Sequence, residues 1–265
     1  SKTPKVLHPL AGVSMLQRVV DTARELSDDI VVVTSPDADA VRSALADSGV
    51  RFVTQEQQRG TGDALAAALP ALGADVDQVL VLCGDVPLLA AATLERLRGA
   101  TPAAGVSLVT ARFPDPAGLG RILRDGEGCI IGIVEERDAT AAQRRIDEIN
   151  TGIYLLPRKR LESWLARLDV GNAQGEYYLT DVIRFAVEAD LPVGSITCDD
   201  LAEVTGVNDR AQLVRLERAF SRSVADQLLA AGVTVMDPAR FDVRGELNVG
   251  EDTVIDINCV FTGHV

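Results

Sequence analysis

The sequence predicts an α/β protein with a mostly parallel sheet, and three observations lead to this prediction. Amphipathic helical segments alternate with short apolar runs along the first part of the chain. The apolar run at 79–83 is typical of a strand buried on both faces. Gly84 and Asp85 follow this run directly, so a tight turn and a carboxylate come at its end.

Asp85 is the first candidate functional residue. In open parallel sheets, ligands bind just outside the carboxyl ends of the strands. Mg²⁺ usually takes one or two protein carboxylates together with phosphate oxygens, so a lone carboxylate here suits a metal on a phosphate. The alternative interpretation is an aspartate that caps a strand–helix loop, and Asp85 by itself leaves both interpretations open.

Composition excludes several classes of protein. The 265 residues carry a net charge of −13, which argues against a broad surface for nucleic acid or anionic membranes. No apolar run reaches the length of about 18 residues that a membrane span needs. The four cysteines lie far apart without a CxxC pair and only two histidines occur, which argues against a zinc site. Scattered apolar cysteines are typical of reduced proteins, so we expect a cytoplasmic location.

Two helices and two strands are predicted before residue 55. Leu16, Val19, Val20 and Ala23 follow helical spacing, and the next segments are a strand at 30–34, a helix at 37–47 and a strand at 51–54. This α-β-α-β order implies parallel strands with helices on their faces. Lys5, in the extended segment before the first helix, is a candidate for binding phosphate, and the alternative is a solvated terminal lysine.

A glycine-rich segment follows the strand at 51–54. The side chain of Gln55 offers both donors and an acceptor, which suits the edge of a base. Gly60, Thr61 and Gly62 then open a helix predicted at 63–72. Glycine lets the backbone approach a ligand closely, and a helix start presents unpaired N–H groups to anions. The alternative is an ordinary helix-start turn.

In the middle of the chain, apolar runs and turn residues predict a helix near 93–97 and a strand at 106–112. They also predict a hairpin formed by 121–123 and 128–135, followed by a strand at 148–156. Glu135 and Glu136 end the hairpin as an acidic pair, which lies either beside a ligand or in solvent. Asn150 interrupts an otherwise apolar strand close to Gly152. Asn150 therefore either hydrogen-bonds a ligand or belongs to a bulge.

The last third of the chain predicts helices at 160–168 and up to 188, a strand at 191–197, a loop at 203–208 and a long helix at 209–231. After this helix, Val249, Ile255 and Phe261 recur every six residues, as in a parallel β-helix. Because repeat modules need about three or more units, we expect further coils to follow. Because SKTPKVLHPL has no strand before the first helix, we also expect a preceding segment.

Eight motifs in order resemble one family: PKVLHPLAG (4–12), QRGTG (58–62), GDVPL (84–88), GLGRI (118–122), GIVEERDA (132–139), EINTGIY (148–154), NAQGEYYLTDV (172–182) and GVNDR (206–210). Together they resemble the uridylyltransferase domain of the bacterial bifunctional N-acetylglucosamine-1-phosphate uridylyltransferase/glucosamine-1-phosphate acetyltransferases. The resemblance implies a Rossmann-like, mostly parallel mixed sheet of the nucleotide-diphospho-sugar transferase type. It also implies a uridylyltransferase domain at 1–208, a linker helix at 209–231 and the start of a left-handed β-helix at 232–265.

The resemblance also implies roles for individual residues. Lys5 and Asp85 would be catalytic, with Lys5 on the nucleotide phosphate and Asp85 and Asn208 on Mg²⁺. The other implied substrate-binding residues are Gln55, Gly60 and Thr61 at the uracil, Cys83 and Gly84 beside Asp85, and Gly120, Glu135, Asn150, Tyr178 and Thr180 at the N-acetylglucosamine.

The implied reaction is attack of N-acetylglucosamine-1-phosphate on the α-phosphorus of UTP, which gives UDP-N-acetylglucosamine and pyrophosphate. Alignment and charge neutralisation dominate such a transfer. For full-length members the resemblance implies a homotrimer formed through the β-helix, and the acetyltransferase residues are not expected in these 265 residues. Alternatives are the same transfer with another sugar-1-phosphate or nucleotide, and an inactive nucleotide-sugar-binding or assembly module. Dinucleotide-dependent oxidoreduction is disfavoured because no GxGxxG motif follows a strand.

Overall fold

The computed structural model describes residues 3–73 and 75–265. The helices, numbered in chain order, are α1 (Met15–Arg24), α2 (Asp39–Ala44), α3 (Thr61–Ala68), α4 (Ala91–Ala100), α5 (Arg158–Leu165), α6 (Asp181–Glu188), α7 (Leu201–Val204) and α8 (Arg210–Ala230). The strands are β1 (Pro9–Leu10), β2 (Val13–Ser14), β3 (Val31–Thr34), β4 (Arg51–Thr54), β5 (Gln78–Val81), β6 (Val106–Arg112), β7 (Arg121–Arg124), β8 (Ile130–Val134), β9 (Glu148–Pro157), β10 (Val193–Thr197), β11 (Thr234–Val235), β12 (Phe241–Glu246), β13 (Val254–Ile255) and β14 (Cys259–His264).

A six-stranded mixed sheet forms the centre of the α/β fold, with the order β10-β6-β9-β7-β8 and with β5 also paired to β9. The prediction of a mostly parallel sheet is wrong, because most strand pairs in this sheet are antiparallel. Among its described strands only β10 and β6 pair in parallel, whereas β9 is antiparallel to β5, β6 and β7. The physical reason is that β9 returns through the middle of the sheet and separates strands that would otherwise lie side by side.

The N-terminal α-β-α-β segment forms a smaller parallel unit. Strands β3 and β4 pair in parallel, with Val31 opposite Arg51, as the alternating order predicted. Leu16 and Val20 of α1 and Leu45 after α2 pack in one buried cluster with β3. In the described residues these two strands form a two-stranded sheet of their own.

Both faces of β6 and β9 are buried, as expected for central strands. On one face Leu108 packs with Trp164 of α5 and Phe185 of α6. On the other face Val109 packs with Leu97 of α4 and with residues of α7. Alternate residues of one strand therefore serve two separate hydrophobic clusters, because successive side chains point to opposite faces.

Helix α8 connects the beginning of the chain with its C-terminal strands. Its residue Leu216 packs with Leu10 and Met15, and its residue Ala225 packs with Phe241. The C-terminal strands pair in parallel, and Phe241 lies opposite Cys259, eighteen positions later. The linker role of α8 and the β-helix remain predictions.

Several element boundaries differ from the predicted ones. The strand predicted at 79–83 ends at Val81, and Val79 is its one buried residue while Leu80 and Val81 are half-buried. The loop predicted at 203–208 begins inside α7. Among the described helices, none combines the length and apolar character that a membrane crossing requires.

Candidate functional site

Lys5, Asp85 and Asn208 meet at one point, although they come from three distant parts of the chain. Lys5 Nζ donates to Asp85 Oδ2 over 2.6 Å and to Asn208 Oδ1 over 3.1 Å. The backbone N–H of Val207 donates to the carbonyl oxygen of Asp85 over 2.9 Å and ties the two loops together. We call these three side chains the Lys5 group.

Local structure fixes Asp85 and Asn208, the two residues that accept hydrogen bonds from Lys5. Asp85 lies in the turn that follows β5. Asn208 directly precedes Asp209, the N-cap of α8, and Gln212 completes a capping box with that residue. The Gln212 side-chain oxygen also accepts a hydrogen bond from the backbone N–H of Asn208. The start of α8 therefore holds the backbone of Asn208 in place.

Cys83 and Gly84 lie between Asp85 and the central sheet. A Cβ at Gly84 would lie 3.1 Å from the Leu16 side chain, so the turn passes close to α1. Cys83 Sγ donates to the carbonyl oxygen of Gly152 over 3.7 Å. Burial, followed by the nearby charge of Asp85, raises the pKa of the Cys83 thiol to about 12. Cys83 is therefore a packing residue near neutral pH and not a nucleophile.

Gln55 and Gly60 form a second part of the site, at the end of β4 and the start of α3. The amide nitrogen of Gln55 donates to the Gly60 carbonyl oxygen over 3.1 Å and to Asp63 Oδ2 over 2.8 Å. Gly60 has φ +109°, and a Cβ there would lie 2.7 Å from the carbonyl oxygen of Tyr177. A side chain at position 60 would therefore clash with backbone, so this turn requires glycine.

Thr61 connects this part of the site to the segment before α6. Its Oγ1 accepts a hydrogen bond from the backbone N–H of Leu179 over 3.2 Å. The backbone N–H of Gly62 donates to the Tyr177 carbonyl oxygen over 2.8 Å. We call Gln55, Gly60 and Thr61 the Gln55 group.

Gly120, Glu135, Asn150 and Thr180 form a third part, which we call the Glu135 group. Thr180 Oγ1 donates to Glu135 Oε1 over 3.2 Å. The backbone N–H of Asn150 donates to the Gly120 carbonyl oxygen over 2.9 Å. A Cβ at Gly120 would lie 3.3 Å from Glu135 Oε2 and 3.5 Å from Asn150 Cβ, so glycine leaves room between these side chains.

The Glu135 carboxyl group lies in an environment that opposes its ionisation. Burial is the main cause that raises its pKa, and the nearby acids Asp138, Asp181 and Glu176 raise it further. The hydrogen bond from Thr180 acts in the opposite direction. A carboxyl group held in this way gains from a partner that donates hydrogen bonds, such as a hydroxyl or amide of a ligand.

Asn150 belongs to a bulge, which was one of its two predicted interpretations. The register of β6 and β9 shifts between Leu108 and Thr110. Gly152 has φ +80°, and its N–H donates to Asn150 Oδ1 over 3.2 Å. The Asn150 side chain also hydrogen-bonds the buried hydroxyl of Tyr154. The bulge does not exclude a ligand, so that interpretation stays a prediction.

Tyr178 lies beside the Glu135 group without a direct hydrogen bond to it in the described residues. Its hydroxyl donates to Asp138 Oδ2 over 3.3 Å and accepts from Gln174 Nε2 over 2.9 Å. Partial burial raises the pKa of the Tyr178 hydroxyl. The segment 177–180 thus links the Gln55 group to the Glu135 group.

The Lys5 group stands somewhat apart from the other two. Within 3–73 and 75–265, its link to the Glu135 group runs through Cys83 and Gly152 rather than through a direct hydrogen bond. A cleft of about 520 Å³ opens beside Lys5 and Asn208, with Pro4 and Leu213 in its wall. Its volume falls within the range of small-molecule pockets, roughly 300–1,000 Å³.

Comparison with known families identifies the domain that carries these groups. Residues 1–186 match the family model of the MobA-like NTP transferase domain. The chain belongs to this family. All three groups of the site lie in this NTP transferase domain except for Asn208.

The chain is also similar to curated bacterial proteins over its whole length. It is 53% identical over 266 residues to the Bifunctional protein GlmU of Paraburkholderia phymatum. It is 53% identical over 267 residues to the proteins of that name from Burkholderia mallei and Burkholderia pseudomallei. The chain spans 58% of the length of these relatives. The family resemblance predicted from the eight motifs is confirmed.

The oxygen atoms of the Lys5 group fit a divalent cation in this NTP transferase. Asp85 Oδ2 and Asn208 Oδ1 converge on a single positive charge, the Lys5 ammonium. A carboxylate and an amide oxygen are hard ligands, which Mg²⁺ prefers. Among the described residues, no three His, Cys, Asp or Glu side chains are grouped to hold a metal.

Two residues that matter to the site of this NTP transferase were not singled out from the sequence. Asp63 binds the Gln55 amide, but in the sequence it looks like an ordinary acid in the first turn of a helix. Arg121 is 1% exposed and donates to Glu136 Oε2 over 2.6 Å and to backbone carbonyl oxygens, which secures the loop after Glu135. The sequence feature that could have pointed to Arg121 is a charged residue at the start of an apolar strand.

Proposed function

We propose that this chain carries out the Mg²⁺-dependent transfer of UMP from UTP to N-acetylglucosamine-1-phosphate, which forms UDP-N-acetylglucosamine and pyrophosphate. The observation that carries the proposal is the convergence of Lys5, Asp85 and Asn208 from positions far apart in the sequence. Membership of the NTP transferase family and the similarity to Bifunctional protein GlmU support it.

Asp85 and Asn208 would hold Mg²⁺ in this proposal. Asp85 contributes one negative charge and Asn208 a neutral oxygen, so most of the metal's coordination remains for phosphate oxygens and water. When bound, the ion supplies charge neutralisation and a template for in-line displacement at the α-phosphorus.

Lys5 would serve the phosphates. Its ammonium donates to Asp85 Oδ2 over 2.6 Å and to Asn208 Oδ1 over 3.1 Å, so a third N–H donor remains for a substrate phosphate. The Lys5 side chain is 42% exposed, so it has room to turn toward the cleft. Lys5 then adds positive charge where negative charge collects on the departing pyrophosphate.

The Gln55 group would recognise the base. Gln55 supplies a side-chain amide for the edge of the base, and Gly60 lets the turn beside it pack directly against the Tyr177 backbone. Thr61 begins α3, whose first N–H groups favour negative charge.

The Glu135 group and Tyr178 would bind the N-acetylglucosamine. Glu135 and Asn150 bring hydrogen-bonding oxygen and nitrogen atoms to either side of Gly120. Sugar hydroxyls and an acetamido group offer matching donors and acceptors. A site built on such bonds rejects sugars that lack them more strongly than an apolar pocket would. Cys83 and Gly84 would shape the floor between this group and the metal.

We also propose the family's architecture for the rest of the chain. The helix at 209–231 would be a linker, and 232–265 would begin a left-handed β-helix through which full-length members form homotrimers. The parallel pairing of β12 with β14 and the burial of Ile255 support this division. The four cysteines are free, which supports the proposed cytoplasmic location.

The test is a coupled assay that measures pyrophosphate release from UTP and N-acetylglucosamine-1-phosphate with and without Mg²⁺. We expect turnover that requires both substrates and the metal. Calorimetry with UDP-N-acetylglucosamine provides a second measurement. Binding without any turnover would contradict the proposed transfer and favour a nucleotide-sugar-binding module.

A further inference from the structure

Asp63 determines which way the Gln55 amide points. The Gln55 amide nitrogen faces two acceptors, the Gly60 carbonyl oxygen at 3.1 Å and Asp63 Oδ2 at 2.8 Å. If the amide were rotated by half a turn, its oxygen would face these same two oxygens and no donor would lie between them. The amide oxygen of Gln55 is therefore directed away from Asp63.

Asp63 is itself held firmly. Its second oxygen, Oδ1, accepts from Arg59 Nη2 over 2.7 Å, and its side chain is only 15% exposed. The Arg59 guanidinium in turn lies over the Tyr177 ring, 5.2 Å from the centroid. Asp63 also lies in the first turn of α3, where the helix dipole favours a negative charge. These contacts keep an acceptor, and not a donor, in front of the Gln55 amide nitrogen.

We infer that Asp63 is a positioning residue that makes Gln55 present only a hydrogen-bond acceptor to the base, and that this selects uracil over cytosine. The inference rests on the proposed function, in which Gln55 contacts the base. Uracil carries an N–H donor at N3, which the Gln55 oxygen can accept. Cytosine carries a lone pair at N3, which would face that oxygen without a proton between them. A site arranged around one polar partner discriminates strongly against an analogue that leaves it unpaired.

The experiment compares kcat/KM for UTP and for CTP in the wild type and in Asp63→Asn. An asparagine at position 63 can offer a donor as well as an acceptor, so only the Gly60 carbonyl oxygen still favours the original orientation and Gln55 can turn its NH₂ group toward cytosine. We expect the UTP-to-CTP ratio to fall by at least about tenfold, the scale of one lost discriminating hydrogen bond. Asp63→Glu keeps an acceptor-only carboxylate and should preserve most of the preference.

Asp39→Asn provides a matched control, since Asp39 is an exposed acid in the first turn of α2. We expect this control to keep the wild-type ratio. A wild type that prefers UTP, together with an unchanged ratio in Asp63→Asn, would overturn the inference and leave the proposed function standing. Equal use of UTP and CTP by the wild type would overturn it too. A wild type without any nucleotidyl transfer would refute the proposed function and the inference together.

Discussion

The negative charge of Asp85 distinguishes it from Asn208, its neutral neighbour at Lys5. If both hold Mg²⁺, losing the charged ligand should cost more than losing the neutral one. We expect Asp85→Asn to lower kcat by at least about 100-fold, the scale of one lost electrostatic stabiliser. Asn208→Ala should lower kcat less, and additional Mg²⁺ should partly restore it. Turnover measured against Mg²⁺ concentration checks both expectations.

Asp77→Asn is the control for charge alone, because Asp77 is exposed and precedes the opposite end of β5. It should leave the Mg²⁺ dependence unchanged. Near-normal turnover in Asp85→Asn would show that Asp85 only caps a loop.

Glu135 predicts a stability difference that depends on pH. Because burial raises its pKa in the folded protein, the folded state binds this proton more tightly than the unfolded state does. The protonated Glu135 carboxyl therefore contributes fully to the free energy of unfolding below the ordinary carboxyl pKa. This contribution is lost as pH rises through the raised pKa of Glu135 in the folded protein. Glutamine does not ionise, so Glu135→Gln avoids this pH-dependent loss of stability. The variant should unfold at a higher temperature than the wild type at neutral pH. The difference should shrink toward about pH 4.

Glu136→Gln should have the opposite sign. Glu136 Oε2 is the carboxylate partner of the buried Arg121 guanidinium, so removing its charge leaves Arg121 poorly compensated. Thermal unfolding of both variants across pH provides the measurement. A Glu135→Gln protein that is less stable than the wild type at neutral pH would contradict the expected effect of burial.

Sequence patterns predicted Asp85 and Asn208 as candidates, but each for a separate reason. Asp85 followed an apolar run, and Asn208 came from the family resemblance. Asp63 was not predicted, because its hydrogen bond with the Gln55 amide depends on side-chain geometry in the folded chain. Residue spacing in the sequence does not contain this geometry. The orientation of an amide depends on which acceptors the folded chain brings to it.

The bulge in β9 depends on one glycine. Gly152 has φ +80°, and a Cβ there would lie 2.8 Å from Cys83 Sγ. A non-glycine residue in the left-handed region costs about 1–2 kcal/mol. Gly152→Ala should therefore lower the free energy of unfolding by more than that, because the contact with the Cys83 sulfur adds to the cost. Replacing Cys83 with Ala in the same protein should recover the second part of the cost. Urea unfolding of the single and double variants measures both parts.

Gly118→Ala isolates the conformational part of this cost. Gly118 has φ +82°, and no atom lies within 4 Å of the Cβ position. If Gly152→Ala costs no more than Gly118→Ala, the contact with Cys83 contributes nothing.

Strands were easier to predict than their pairing. Strands β4 and β6 have the predicted bounds because apolar and β-branched runs determine them locally. The antiparallel place of β9 was missed because an apolar run records that a strand is buried but not its direction. Pairing depends on contacts between residues far apart in sequence, such as Ser107 with Leu155.

A hydrogen bond between residues 206 positions apart in the sequence joins the antiparallel pair β1 and β2 to α8. The N–H of Ala11, which is 1% exposed, donates to Glu217 Oε2 over 2.7 Å. Glu217→Ala would leave this buried donor without its partner, and we expect a loss of about 1–3 kcal/mol in the free energy of unfolding. Glu217→Gln keeps an oxygen acceptor and should lose much less. Urea unfolding distinguishes the two, and equal losses would mean that packing, not this bond, stabilises the contact.

The central place of β9 has a consequence for how the protein is made. Strands β5 and β6 are synthesised early but pair with β9, and not with each other, so the strand edges that pair with β9 stay open until residue 157 has left the ribosome. Open strand edges are templates for pairing with other chains. We expect nascent chains that stop between β6 and β9 to be the aggregation-prone species, and a slow stretch of translation in that interval to lower the yield of folded protein.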